Sequence, residues 1–252
     1  MKVAFCASKR PDAQAALSKL RKTYGEHAED ASDVIVALGG DGCMLDTLRR
    51  RFDDRIPVYG MNRGTVGFLM NEYRVEDLEA RLQNAERALL HPLKMRVTDA
   101  SGQTHLRWAI NEVSLFRQTA QTARLGVTVD GRERLQELIC DGIMVATPAG
   151  STAYNLSAHG PILPIGANLL ALTPISPYRP RRWRGALLRH DAEVKLTVND
   201  AQLRPVSASA DNQEVRDVQA VQIASDPSKP LSVLFDPGQA LDERILTEQF
   251  AY

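Results

Sequence analysis

Residues 34–38 read VIVAL, apolar at every position, and run straight into Gly39-Gly40-Asp41-Gly42 and then an amphipathic stretch. A strand with no polar face must be covered on both sides, the condition of an inner strand in a parallel sheet layered by helices. The glycines let a ligand approach the backbone. The helix that follows presents unpaired N–H groups and the positive end of its dipole. This is the carboxyl edge of the sheet, where α/β proteins bind ligands. Asp41 therefore sits where a phosphate-bearing ligand would be held, or else it only caps the helix. The flanking glycines weigh toward the first reading, because a cap needs neither.

The neighbouring pattern extends the α/β layer. Val3–Ala7 reads as a strand, and Pro11–Tyr24 as a helix with Ala16, Leu17 and Leu20 on one face. Residues 44–52 read as a helix, 56–60 as a strand, and 73–90 as one helix carrying Val75, Leu78, Leu82 and Leu89. After Pro92 the period changes. Residues 93–98 alternate, 106–116 run extended, and 125–129 alternate ahead of the hairpin-type turn Asp130-Gly131. Val194–Val198, residues 218–223 and Leu231–Phe235 are further strands. The expected fold is an N-terminal Rossmann-like α/β nucleotide-binding domain over residues 1–91, followed by a β-rich, antiparallel sandwich-like domain over 92–236. The tail, 237–252, is open to a helix or a strap and to packing back on the first domain.

Composition narrows the function classes. Lys and Arg together balance Asp and Glu at 31 each, which argues against a polyanion as main partner and so against nucleic acid. Three widely spaced cysteines show neither zinc spacing nor a disulfide framework. No apolar run is long enough to cross a bilayer, and the first residues are too short an apolar run for a signal peptide. A cytoplasmic protein is the expectation.

Three more segments carry chemistry. YGMNRGTVGFLM, residues 59–70, is a second glycine loop after a strand, but neither the dinucleotide fingerprint nor a P-loop is present. DGIMVATPAGSTAYNLSAHGPIL, residues 141–163, combines a strand, a compact turn with Ser151 or Thr152 as a helix cap, and small or hydroxyl side chains suited to ribose and phosphate. Tyr154 there is placed to stack, to donate a hydrogen bond, or simply to fill the core. In AINEVSLF, residues 109–116, Asn111 and Glu112 interrupt an apolar strand. Buried polar groups need partners, and paired ribose hydroxyls would supply them. A β-bulge or a strand end is the alternative.

These motifs, in this order, resemble the NAD kinase family: GGDG at 39–42, the Asn111-Glu112 pair, and TPAGSTAYNLSAHGPI with LTPIS at 172–176 after it. The long TPAGSTAY segment is the specific one, since GGDG also resembles loops of diacylglycerol kinases and phosphofructokinases. The resemblance implies ATP-dependent phosphorylation of the 2′-hydroxyl of the adenosine ribose in NAD, giving NADP, on a two-domain fold with NAD between the domains. It implies a divalent ion, usually Mg2+, and a homodimer or homotetramer. It also implies Asp41 as the catalytic base, with Gly42 at the phosphates. Asn111, Glu112 and Asp141 become NAD contacts, and Ala149, Thr152, Ala153, Tyr154, Asn155, Leu156 and Ser157 the wall of the dinucleotide site. No dedicated metal-ligand residue is assigned. Three features depart from the family pattern. Cys43 stands where threonine is common. Asp211-Asn212-Gln213 replaces Asp-Gly-Gln, although Gln213 is kept among the NAD contacts. The stretch SPYRPRRWRGALLR carries Arg179, Arg181, Arg182, Arg184 and Arg189 around Trp183, open to a solvated or subunit-facing loop, a phosphate clamp or an RNA-binding patch. A lipid or sugar kinase and a non-catalytic dinucleotide binder are the competing functions.

Overall fold

The computed structural model describes residues 1–64, 67–238 and 250. β1 (Val3–Ala7), α1 (Pro11–Tyr24), β2 (Val34–Gly39), α2 (Asp41–Arg49) and β3 (Val58–Asn62) alternate along the chain. The three strands are parallel, with Val3 opposite Val34 and Ile35 opposite Val58. Every residue of β2 is buried. Val34, Val36 and Leu38 share one cluster with Ala16, Leu17 and Leu20 of α1, and α2 buries Met44 and Leu48 completely.

The rest of this sheet departs from expectation. The helix expected over 73–90 is only α3 (Leu78–Asn84), followed by β4 (Glu86–Leu90). Val75, Leu78 and Leu82 do face the core, but the chain turns extended at Ala85 and the last five residues pair with a strand from far along the sequence. That strand, β17 (Leu231–Phe235), was expected in the β-rich domain. It lies instead between β3, to which it is parallel, and β4, to which it is antiparallel. The sheet order is β1-β2-β3-β17-β4. Leu231–Phe235 is buried at all five positions, so its apolar run suits an inner strand of either sheet. The tail beyond Gly238 lies outside the described residues, apart from Phe250.

His91–Pro227 forms a second unit. One antiparallel sheet contains β5 (Leu93–Asp99), β6 (Thr104–Ala109), β8 (Ala123–Val129), β9 (Arg132–Cys140), β13 (Val194–Val198) and β16 (Val218–Ser225). The other contains β7 (Glu112–Arg117), β10 (Gly142–Ala146), β11 (Leu169–Ile175), β12 (Ala186–Arg189), β14 (Val206–Ala210) and β15 (Gln213–Val215). Their inner faces share one apolar core, Met95, Val127 and Leu196 from the first meeting Val113, Val145 and Ala208 from the second. The strict alternation of β8 and β13 follows from having one wet face. β10 is buried throughout, its outer face covered by the loop after it, where Ala146, Leu163 and Ala171 cluster. Asp130 and Gly131 both have positive φ, as the two-residue turn between β8 and β9 requires.

The extended run expected over 106–116 is two strands. β6 belongs to one sheet and β7 to the other, so the chain crosses between them at Ile110-Asn111. The Asp211 carboxylate satisfies the crossing, accepting from the backbone N–H groups of Ile110, Asn111 and Glu112 at 2.9, 2.9 and 3.3 Å.

Candidate active site

In the first unit the two glycine loops meet at the carboxyl edge of β2 and β3. The Arg63 N–H donates to the Gly39 carbonyl at 2.6 Å. Gly40 is the residue before α2 and no side chain caps that helix. The capping role considered for Asp41 is therefore absent. Asp41 occupies the first helical position, and its carboxylate turns away to accept from Phe68 N–H at 2.8 Å and Leu69 N–H at 2.9 Å. Each oxygen is oriented by one backbone donor and keeps lone-pair capacity for a second. A Cβ on Gly67 would collide with Met70 and crowd Asp41, so the loop closes over the carboxylate only with glycine there. The loop's return is pinned by buried Asn71, whose Nδ2 donates to the carbonyls of Gly60 and Leu234 and whose Oδ1 accepts from Asp236 N–H. Gly42 follows Asp41 in the first turn, with open space where a side chain would be. Cys43, the departure from threonine, donates to the Leu38 carbonyl at 3.6 Å, and its i+4 neighbour Thr47 meets Cys6 at 3.3 Å.

In the second unit the segment after β10 is built on the strand crossing. Thr147 donates through its backbone N–H to the Asn111 carbonyl and through its hydroxyl to the Ile110 carbonyl. Gly150 lies so close over Asn111 that any Cβ would collide with its backbone. Ser151 caps no helix, contrary to expectation. Its hydroxyl donates to the Pro148 carbonyl and accepts from Leu163 N–H, tying the two ends of the loop together. Asn155 is completely buried: Nδ2 donates to the carbonyls of Pro161 and Ser151, and Oδ1 accepts from the Thr173 hydroxyl at 2.7 Å. With its amide consumed by protein partners, Asn155 holds the loop's shape and is not part of an open wall. Ala149, Thr152, Ala153, Tyr154 and Leu156 are half-buried and Ser157 is exposed. The Tyr154 ring stacks on Phe116 at 5.9 Å. Burial pushes the Tyr154 hydroxyl up, and the carboxylates of Glu112 and Asp141 add to it. Asp141 is held by Arg117 Nε at 2.6 Å. Gln213 is exposed on β15, at the edge of the same sheet.

Glu112 is the electrostatically strained member. Its Oε2 is buried with no hydrogen-bond partner among the described residues. Burial, then the Asp211 carboxylate, push its carboxyl up to about 7 from an ordinary 4.5. A raised carboxyl binds its proton more tightly folded than unfolded. Its contribution to stability is therefore whole below 4.5 and is lost as pH rises through about 7. At roughly 1.4 kcal/mol per tenfold change in proton affinity the loss is about 3 kcal/mol. Glu112→Gln cannot ionise and is expected to gain about that much over the wild type at pH 8 and little at pH 4, read from urea midpoints. Parallel pH profiles for the two proteins would refute a buried carboxylate.

The roles of Asp211, noted in the sequence only as part of Asp211-Asn212-Gln213, and of Asn71 were not legible in the sequence. Each is a polar residue in a loop with partners a hundred or more residues away, and no local spacing announces them. Among the described residues no group of three His, Cys, Asp or Glu side chains is arranged to hold an ion alone. No helix among them is long and apolar enough to cross a membrane.

Residues 3–89 match the profile of the ATP-NAD kinase N-terminal domain, and residues 110–228 that of the ATP-NAD kinase C-terminal domain. An NAD kinase of Hyphomonas neptunium is 65% identical over 252 residues, covering 100% of this chain and 99% of the relative. One of Caulobacter vibrioides is 56% identical over 250 residues, covering 99% and 96%. Among solved structures, yeast NADH kinase complexed with NADH superposes with a TM-score of 0.85 at 20% identity, covering 99% of this chain and 87% of that one. An NAD kinase from Archaeoglobus fulgidus in complex with ATP gives 0.78 at 22% identity, covering 98% of both. At those identities the two structures speak for the fold, while the close relatives and both domain profiles speak for the lineage: the chain belongs to the NAD kinase family of phosphotransferases.

Proposed function

We propose that this enzyme transfers the γ-phosphoryl group of ATP to the 2′-hydroxyl of the adenosine ribose of NAD, giving NADP, with Asp41 as general base. The observation that carries the proposal is the Asp41 carboxylate, fixed by Phe68 and Leu69 N–H beside the uncapped start of α2. Phosphoryl transfer asks little covalent chemistry of a protein. It asks for positioning, charge neutralisation and a group to take the nucleophile's proton. Two N–H donors aim the carboxylate and leave a lone pair on each oxygen for a hydroxyl within about 2.6–3.2 Å. The glycines beside it let the phosphates come close.

The ribose side of the reaction falls to Asn111 and Glu112. The unpartnered Oε2 of Glu112 accepts from a ribose hydroxyl, which relieves the cost of its burial. Ala149, Thr152, Ala153, Tyr154, Leu156, Ser157 and Gln213 contact the dinucleotide, Asp141 reaches its nicotinamide portion, and Asn155 keeps the loop in shape. Mg2+ fits this chain as the companion of ATP's phosphates rather than as the occupant of an all-protein cage, with Asp41 the carboxylate available to it at the glycine loops. When bound it neutralises phosphate charge. The two solved relatives are complexes with NADH and with ATP, one molecule of each substrate type. A homodimer or homotetramer, tested by sedimentation, and a cytoplasmic location complete the proposal.

Purified protein with NAD, ATP and Mg2+ is expected to yield NADP, detected with an NADP-specific dehydrogenase, with the new phosphate on the 2′ position by phosphorus NMR. No NADP, or phosphate at another hydroxyl, would overturn the reading.

A further inference from the structure

The arginine-rich departure from the family pattern does not lie apart from the loop that follows β10. In the second unit a cleft of about 400 Å3 is lined by Tyr154, Ser157 and His159 from the loop after β10 and by Ser176, Arg181, Trp183 and Arg184 from the segment after β11. Among the described residues no carboxylate lines it. Among the described residues neither Arg181 nor Arg184 is in an ion pair, whereas Arg189 of the same stretch is paired with Asp191. Arg181 lies over the Tyr178 ring, 5.1 Å from its centroid, which orients its planar fork before any ligand arrives. Trp183 is anchored against the core of the sandwich, so the loop is fixed at that point. His159 and Ser176 both have positive φ, 61° and 46°, a conformation uncommon outside glycine, asparagine and aspartate. Backbone of this kind gathers at ligand sites.

Two aromatic rings, two unpaired guanidinium groups and hydroxyls in one cleft match a nucleotide, with its flat base against a ring and its phosphate on the forks. We propose that Arg181 and Arg184 are specificity-determining residues that bind the phosphate of a nucleotide in this cleft, so that the site selects phosphate-bearing nucleotides over nucleosides. The proposal deepens the reading of the preceding subsection by naming what holds the dinucleotide's phosphate charge. It rests on that reading only for the identity of the natural ligand. Arg182, on the same loop, does not line the cleft and takes no part.

The test is binding without turnover. Adenosine 5′-monophosphate and adenosine are titrated against the protein and followed by tryptophan fluorescence, with Trp183→Phe to assign the signal to the cleft. The wild type is expected to bind the monophosphate at least tenfold more tightly than adenosine, with a preference that shrinks as salt rises. Arg181→Ala/Arg184→Ala should weaken the monophosphate roughly 10- to 100-fold, the worth of a lost charge-assisted hydrogen bond, and leave adenosine unchanged. Arg182→Ala should alter neither. Both arginines are exposed, and circular dichroism checks the fold, each single variant carrying the same reading if the double one does not fold. Equal binding of the two ligands by the wild type, binding of neither, or a preference that survives the double substitution overturns the proposal. A protein that makes NADP yet shows no such preference sinks this inference alone, and one that shows the preference yet makes no NADP sinks the kinase assignment alone.

Discussion

A chain carrying Asp41→Asn is expected to turn over NAD roughly 10²–10⁴-fold more slowly than the wild type, the span for losing a general acid–base group. That is about 2.7–5.4 kcal/mol of transition-state stabilisation. The contacts of Asp41 add a second expectation. Asparagine presents only one acceptor, so its amide nitrogen must face either Phe68 N–H or Leu69 N–H, donor against donor. Leaving one of those groups unsatisfied costs about 1–3 kcal/mol. The melting temperature should therefore fall by several degrees, and the loss of rate must be measured where the variant is fully folded. NAD affinity, which the proposal assigns chiefly to Asn111, Glu112 and the loop after β10, should hold within a few-fold. A folded Asp41→Asn protein that makes NADP within threefold of the wild-type rate would remove Asp41 from the chemistry. An unchanged melting temperature would contradict the two backbone contacts.

The largest effect on stability is expected at Asp236. Its carboxylate accepts from Arg81 Nε at 3.1 Å, Arg81 Nη2 at 2.6 Å and the Tyr59 hydroxyl at 2.6 Å. Both members of the ion pair are about nine-tenths buried, at 9% and 8% exposure. Burial opposes ionisation of Asp236, but the hydrogen bonds from Arg81 and Tyr59 outweigh it and hold the carboxyl below its usual range. Asp236→Ala leaves the Arg81 guanidinium in the interior with only the carbonyls of Glu72 and Arg74. Breaking a buried pair this way costs about 3–5 kcal/mol, a large share of the roughly 5–15 kcal/mol that keeps a domain folded. The double variant Arg81→Met/Asp236→Leu should recover most of the loss, since both desolvation costs vanish with the charges. Urea unfolding of the three proteins decides, and a loss below about 1 kcal/mol in Asp236→Ala would mean that water reaches the pair. The sign with pH is opposite to that of Glu112. A depressed carboxyl stabilises above the unfolded value and loses that contribution as pH falls. Acid should therefore weaken the first unit, and alkali should weaken the neighbourhood of Glu112.

What could be read in advance follows a physical division. Residues 34–42 were legible because strand, loop and helix there are each decided by neighbours within four positions. The Asp130-Gly131 turn was legible for the same reason. Leu231–Phe235 was legible as a strand but not as a member of its sheet, because an all-apolar run suits an inner strand of either, and its register against Val58 and Leu90 is a long-range fact. Residues 86–90 were misread because leucines at 82 and 89 continue a helical period that tertiary pairing overrides. At the candidate site, the interruption at Asn111 and Glu112 was visible, but its cause, the carboxylate of Asp211 a hundred residues away in sequence, was not. Asn155 shows the converse. Its place within a ligand-like motif suggested contact with the dinucleotide, while its buried amide donates both hydrogens to the loop's own carbonyls and accepts from Thr173 of β11.

The insertion of β17 between β3 and β4 has a bearing on biosynthesis. A chain emerging from the ribosome presents β1, β2 and β3 early, but the edge of β3 finds its partner only when residue 235 has been made. At about 5–20 residues per second that interval is roughly 10–35 s. Throughout it the hydrogen-bonding groups of Val58 and Tyr59 form an open strand edge, the kind that recruits other chains. The second unit, whose strands are contiguous in sequence from residue 93 to 225, suffers no such delay. Nascent chains released before Leu231 would thus pair a finished sandwich with an unclosed sheet, and they are the species on which chaperones and proteases should act first.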